Sequence, residues 1–356
     1  MNIPKIIKEV GTLADYGCEI NAINVSELFV QYESLGFIYP AKKKRLAKLM
    51  PLIEENWNRL LKIKPSVMQI VTFRNEAKDF GTMCMLQSSN YGWLNHHGIA
   101  NKLPAIALTF LTAQKVHLEN PTMKSSQIWF RPNNRIMSRI CSNALSQVPK
   151  IHSFQQTFNY IEFPLKKINL LSAEFRIVQY QPQHKTAFEQ FLLRERGKAF
   201  LEGEDLNSDD ITLQGINKLY QQVGLERYRQ IWLIFDTTNN QLLGVAIAYK
   251  GPIGLNFSFL ENRCELIIHS GLNGHSAKVV IALLVKAVTP QYQDFLPQFI
   301  PILADDKVAK QLVDFGGQLI RQYTQHLWTR PGFEAWYFGA VATLKNILLR
   351  TQQQLY

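Results

Sequence analysis

Apolar residues in this chain fall into short runs divided by polar turns, and in two places the runs lengthen into helical patterns. Residues 230–236 (QIWLIFD) and 242–249 (LLGVAIAY) flank the polar stretch 237–241, which predicts a β-hairpin. A third strand is predicted over residues 263–268 (RCELII). The loop 269–277 follows, and residues 278–288 (KVVIALLVKAV) have the length and apolarity of a helix. Backbone amides at such a strand-to-helix junction can cradle an anion such as pyrophosphate.

The same alphabet of elements appears earlier in the chain. Residues 23–62 read as helical: Leu46, Leu49, Met50, Ile53, Trp57 and Leu60 recur at helical spacing, with a break at Pro51. A hairpin is expected from 67–73 (VMQIVTF) and 81–87 (GTMCMLQ), then a strand at 91–97, a helix at 104–118, a strand at 126–130 and a helix at 135–145. Residues 149–165 end in an extended run. The series restarts with a strand at 175–180 (FRIVQY) and a helix at 182–196. An acidic insert, 202–210, precedes the hairpin already described. A strand at 298–303, a helix from 307 to roughly 325 and an apolar tail over 336–349 complete the chain. Repetition of the series predicts an α+β architecture of two mixed sheets flanked by helices. The expected division is a helical extension over 1–62, one domain over 63–170 and a second over 171–356.

Composition narrows the class. A chain of 356 residues with a 46% hydrophobic share can bury two cores. The four cysteines are widely spaced, form no CxxC pair and have no histidine cluster at ligand spacing, so reduced buried thiols and no metal are expected. The first residues carry charge and lack a long apolar stretch, and no run reaches membrane-spanning length. A cytoplasmic protein is therefore expected. The net charge of +11 is unevenly spread: residues 1–170 hold 21 Lys and Arg against 11 Asp and Glu, whereas residues 171–356 hold 18 against 17. Lys42, Lys43, Lys44, Arg45 and Lys48 contribute to the excess, either as a solvated helix face or as a surface for an anionic partner. Trp93, His96 and His97 form either a recognition surface or a core Trp with exposed imidazoles.

The order strand, helix, helix, long hairpin, strand, glycine-bearing loop, helix, strand, helix resembles the GNAT superfamily of N-acetyltransferases. Residues 175–180, 232–236, 243–248, 263–268, 273–277 and 301–303 carry the resemblance. A fainter copy lies in 67–87 and 127–134, which makes the chain similar to a tandem GNAT protein. The resemblance implies acetyl-CoA as cofactor and an amine acceptor, on a small molecule or a protein. The cofactor would lie along Ile267 and Ile268 and against Asn273, Gly274, His275, Ser276 and Ala277. Family members carry Arg or Gln, two residues, Gly, one residue, then Gly or Ala; here one glycine of that frame is in place. By the same resemblance, Glu265 would be the base and Tyr323, expected in the helix after the last strand, the acid for the departing thiolate. These roles place the chemistry in the second unit. The alternative is a non-catalytic module that keeps the fold and uses its basic N-terminal half to hold an anionic partner.

Overall fold

The computed structural model describes residues 17–145, 148–166, 168, 170 and 172–353. Strand β1 (Cys18–Ile20) leads into helices α1 (Val25–Ser34), α2 (Pro40–Leu46) and α3 (Met50–Leu60). Pro40 and Pro51 sit in the first turns of α2 and α3, where the missing N–H costs nothing. The hairpin follows as β2 (Met68–Arg74) and β3 (Phe80–Gln87), then β4 (Gly92–Ala100), α4 (Leu103–Glu119), β5 (Ser125–Phe130), α5 (Arg135–Leu145) and β6 (Ser153–Pro164).

The second half repeats this order. It comprises β7 (Phe175–Gln179), α6 (Lys185–Glu195), α7 (Lys198–Gly203), α8 (Gln214–Gln221), β8 (Tyr228–Asp236), β9 (Leu242–Lys250), β10 (Cys264–Ile268), α9 (Gly274–Val288), β11 (Phe299–Ala304), α10 (Asp306–Asp314) and β12 (Gln318–Thr329). Helix α11 (Arg330–Gln353) ends the described chain.

All twelve strands join one sheet in the order β1-β2-β3-β4-β5-β12-β6-β11-β10-β9-β8-β7. The order shows an exchange. Strand β6 does not pair with β5 of its own half; β12 lies between them, antiparallel to both. In turn β6 fills the slot between β12 and β11. Each half thus completes its sheet with a strand from the other, and among the described residues only β4·β5 and β10·β11 are parallel.

Helices cover both faces. Helices α4 and α11 bury Ala105, Leu108, Trp336 and Ala340 with Met83, Ile128 and Trp328 of the sheet. Helices α6 and α7 bury Phe188, Phe191 and Phe200 with Val245, Leu303 and Leu327. The largest cluster mixes Leu28, Ile53 and Trp57 of the first half with Leu266, Val280 and Ile302 of the second. Strand β9 is buried on both faces, as its unbroken apolar run requires.

Two differences from the sequence reading have simple causes. Residues 18–62 are not an appendage: β1 pairs with β2, and the following helices enter the shared core. The helix expected over 307–325 stops at Asp314, because Gly316 adopts φ +93° and Gly317 follows it; the chain then extends as β12. Tyr323 is accordingly on a strand.

The halves also dock through their turns. Asn56 Nδ2 and Trp57 Nε1 donate to the carbonyls of Ile253 and Gly254 at 2.9 and 2.8 Å. On the other side, the Asn90 side chain donates to Asp210 O at 3.0 Å and accepts from Ile216 N at 3.1 Å. Gly254 has φ +86°, and a Cβ there would lie 2.4 Å from Ile53 Cγ1.

Because each half lacks a central strand without the other, residues 1–170 expressed alone should show no cooperative unfolding. The intact chain should give coincident urea transitions by far-UV circular dichroism and tryptophan fluorescence. Gly254→Ala should cost about 2–4 kcal/mol in the same assay, from the left-handed backbone and the clash with Ile53.

Candidate functional site

Each half repeats the order of elements expected of a GNAT-like unit, and in each half the parallel pair of strands diverges. In the first half, β4 and β5 are paired only from Gly92 to Asn95 against Ser125 to Ile128. Strand β4 continues to Ala100 on β3, so from His96 onward its other edge has no strand beside it among the described residues. A cavity of about 690 Å³ opens there. Its lining includes Tyr39 and Lys42 from the α1–α2 region, His96 and His97 of β4, Arg131 after β5, and Tyr323 of the exchanged β12.

The second half splays at the corresponding place as well, but side chains bridge the loop that follows. Strands β10 and β11 pair at Cys264–Glu265 against Ile302–Leu303, and β10 continues to Ile268 on β9. Beyond this, Lys307 Nζ donates to the carbonyls of Ser270, at 3.3 Å, and Leu272. Glu195 accepts from Ser270 N at 3.2 Å, and Arg196, buried over the Phe158 ring, reaches Asp305 at 3.9 Å. Side chains of α6 and α10 thus tie the loop down.

The residues singled out in that loop are placed as follows. Ile267, Ile268 and Ala277 are buried. Asn273 is the N-cap of α9 but its side chain makes no capping bond, and Gly274 (φ +57°) and His275 are exposed. Ser276 is half-buried. The cavity in the first half is lined by none of them.

Glu265 lies inside a buried ionic network. Arg263 Nε donates to it at 2.6 Å, and Arg263 Nη2 donates to Glu204 at 3.0 Å. Glu204 also accepts from Gln325 Nε2 at 2.6 Å and Tyr249 Oη at 2.9 Å, while Arg227 pairs with Glu261 at 2.6 Å. Burial pushes the Glu265 carboxyl up, and Arg263 opposes that shift. Glu204 and Asp205 belong to the acidic insert; both are buried, and Asp209 is the member left exposed to pair with Lys185. The sequence signal for this network was the i, i+2 spacing of Arg263 with Glu265 at the start of a predicted strand, which sends both side chains to the same side.

The basic run is divided by its helix. Lys43 pairs with Glu33 and Arg45 with Glu162, whereas Lys42 turns into the cavity, its Nζ 4.0 Å from the centre of the Phe37 ring. Tyr39 Oη accepts from Arg131 Nη2 at 3.0 Å and from Arg321 Nη1 at 3.1 Å. Burial, then the charges of Arg131 and Arg321, push the Lys42 ammonium down to about 8. Burial would raise the Tyr39 hydroxyl, but the hydrogen bonds from Arg321 and Arg131 outweigh it and lower it. Sequence reasoning missed Arg131, Arg321 and Tyr39, which lie far apart along the chain and meet only because β12 is exchanged.

Both imidazoles expected to be exposed are buried beside Trp57, at 6% exposure each. A bulge explains how consecutive histidines reach the same aromatic cluster: His97 has φ +53°, and the β3–β4 register slips between Thr82 and Cys84. Cys84, His96 and His97 place one donor atom each within 4.8 Å of one another. The Cys84 thiol contacts Tyr32 Oη at 3.2 Å, and His97 Nε2 accepts from Phe257 N at 3.4 Å. Burial lowers His96 to about 3 and His97 also well below the ordinary value.

No family model matches the sequence, and no curated protein matches it either. Among solved structures, a tandem GNAT protein from the clavulanic acid biosynthesis pathway aligns over 88% of this chain and 98% of its own, with a TM-score of 0.42 and 10% identity. A GCN5-related N-acetyltransferase from Sphaerobacter thermophilus aligns over 78% and 85%, with a TM-score of 0.40 and 8% identity. A GNAT-family acetyltransferase from Colwellia psychrerythraea aligns over 81% and 97%, with a TM-score of 0.32 and 13% identity.

The neutral state of His96 gives a pH signature. Its proton is bound in the unfolded chain below the ordinary value of 6.5 but in the folded chain only near 3, so its contribution to stability is present above 6.5 and is lost as pH falls through that window. His96→Gln should therefore flatten the acid limb of stability against pH by up to about 1.4 kcal/mol per pH unit, as measured by urea unfolding at a series of pH values.

Proposed function

We propose that the first half is the acyl-transfer site, and that it works on an acyl-CoA donor and an amine acceptor. The observation that carries this reading is the free edge of β4. From His96 to Ala100 its peptide groups border the cavity with no strand opposite. An extended chain bearing amides, such as the pantetheine arm, can pair with such an edge as a further strand would. When bound, the thioester supplies an activated acyl carbon.

The remaining roles fall to side chains of the cavity. Tyr323 brings a hydroxyl to it from β12, with Arg321 on the same strand, and can protonate the thiolate released when the acyl group passes to nitrogen. The fit is less good where the phosphates would lie. Pro104 removes one amide from the first turn of α4, and Lys102 is already paired with Asp79 at 2.6 Å. In this reading the second half is scaffold: Glu265 is engaged by Arg263, and Lys307 and Glu195 hold its loop.

Calorimetry tests the assignment. Acetyl-CoA should bind at one site, and Ser276→Glu in the second half should leave the affinity unchanged. Tyr323→Phe should keep donor binding but slow acyl transfer about 100-fold, the scale for loss of a positioned acid. Absence of binding at millimolar acetyl-CoA sinks the reading; loss of binding in Ser276→Glu moves the site to the other half.

A further inference from the structure

Three cations converge at one end of the cavity, Lys42 and Arg131 in its lining and Arg321 bonded to its Tyr39. Arg131 follows β5, Arg321 belongs to β12 and Lys42 to α2, and the two guanidiniums share the hydroxyl of Tyr39. Among the described residues, none of the three has an ion pair with a carboxylate. Glu162, the acid whose charge reaches Arg321, is engaged by Arg45. Like charges gathered at a part-buried site repel and lose hydration, and the depressed Lys42 ammonium reflects both effects. His97, the titratable neighbour on β4, is neutral and offers no compensation. Such a group is stabilised by an oxyanion arriving from outside, because the guanidinium fork matches the geometry of a carboxylate or phosphate.

We infer that Lys42, Arg131, Arg321 and Tyr39 form an oxyanion site, and that the acceptor amine carries a carboxylate or phosphate that this site recognises. The second part rests on the acyl-transfer reading; the first part does not. Lys42, Arg131, Tyr39 and Tyr323 line one cavity, so a ligand anchored by its anion places its other end near the Tyr323 hydroxyl and the open edge of β4. The arrangement selects for charge at one end of the acceptor. Arg321 acts here as a recognition residue, and the exchange of strands is what delivers it.

Two probes, inorganic phosphate and succinate, test the site directly with the full-length protein. Binding is read by the rate at which Lys42 is modified by trinitrobenzenesulfonate, followed by peptide mass spectrometry against pH. With the cavity empty, Lys42 should react with an apparent pKa near 8. An occupying oxyanion should move that midpoint upward and slow the labelling, while exposed Lys44 is unaffected. Arg131→Ala and Arg321→Ala should each weaken protection about tenfold or more, the scale for one charge-assisted hydrogen bond. Protection by phosphate but not succinate identifies a phosphorylated ligand, and the reverse a carboxylate. If neither probe alters Lys42 labelling at tens of millimolar, or if both arginine variants protect as well as wild type, the site is refuted. Protection without acetyl-CoA binding would leave the oxyanion site standing and remove the acyl-transfer reading; the opposite result would do the converse.

Discussion

The exchange of β6 and β12 is the constraint on which the rest of the structure depends. A sheet interrupted after β5 or after β11 would leave rows of backbone donors and acceptors unpaired in the interior, and each such group is costly to bury. Pairing β12 with β5 and β6, and β6 with β11, satisfies both gaps at once. The two halves are therefore parts of one cooperative sheet, and the mixed core of α1, α3 and α9 residues follows from that continuity. Turns from each half then dock on the helices of the other, through Asn90 on one side and Ile253 and Gly254 on the other.

The same exchange makes the surroundings of the two related clefts different. In the first half, the strand that borders β5 is foreign; it brings Tyr323 to a cavity also lined by Lys42 and His97, and Arg321 to the Tyr39 hydroxyl of that lining. In the second, Arg196 and Lys307 reach the loop and strand end beside the corresponding gap, and Glu265 belongs to a buried network of arginines and glutamates. A buried network of this kind tolerates no loss of one member without leaving an uncompensated charge. Beside the cavity of the first half, the edge of β4 from His96 onward has no strand opposite it among the described residues.

Much of the fold was legible in the sequence because the pattern of apolar residues is local. Both hairpins, the strands at β5, β7 and β11, and the helices α4, α5 and α9 were expected from runs and periods alone, and the repeated order of elements pointed to two related halves. The end of α10 was misread because Gly316 and Gly317 were given less weight than the apolar residues beyond them. The candidate site was less legible. The loop at Gly271 and Gly274 resembles a phosphate cradle, yet glycine content reports only what a backbone can do, not that Lys307 and Glu195 bind its first residues. Lys42 was noted as one of a basic run; which member of that run faces inward depends on helix phase against a surface the run does not contain.

The sequence by itself determined the elements, their repetition and the balance of charge between the halves, because hydrophobic period, proline and glycine act over a few residues. Only the tertiary structure decided which side chains meet at the cavity of the first half and at the loop of the second. That outcome depends on β12 crossing into the first half with Arg321 and Tyr323, and on side chains of α6 and α10 reaching the loop after β10. These contacts join residues more than a hundred positions apart, or on different elements of one half, and no local pattern encodes such a pairing.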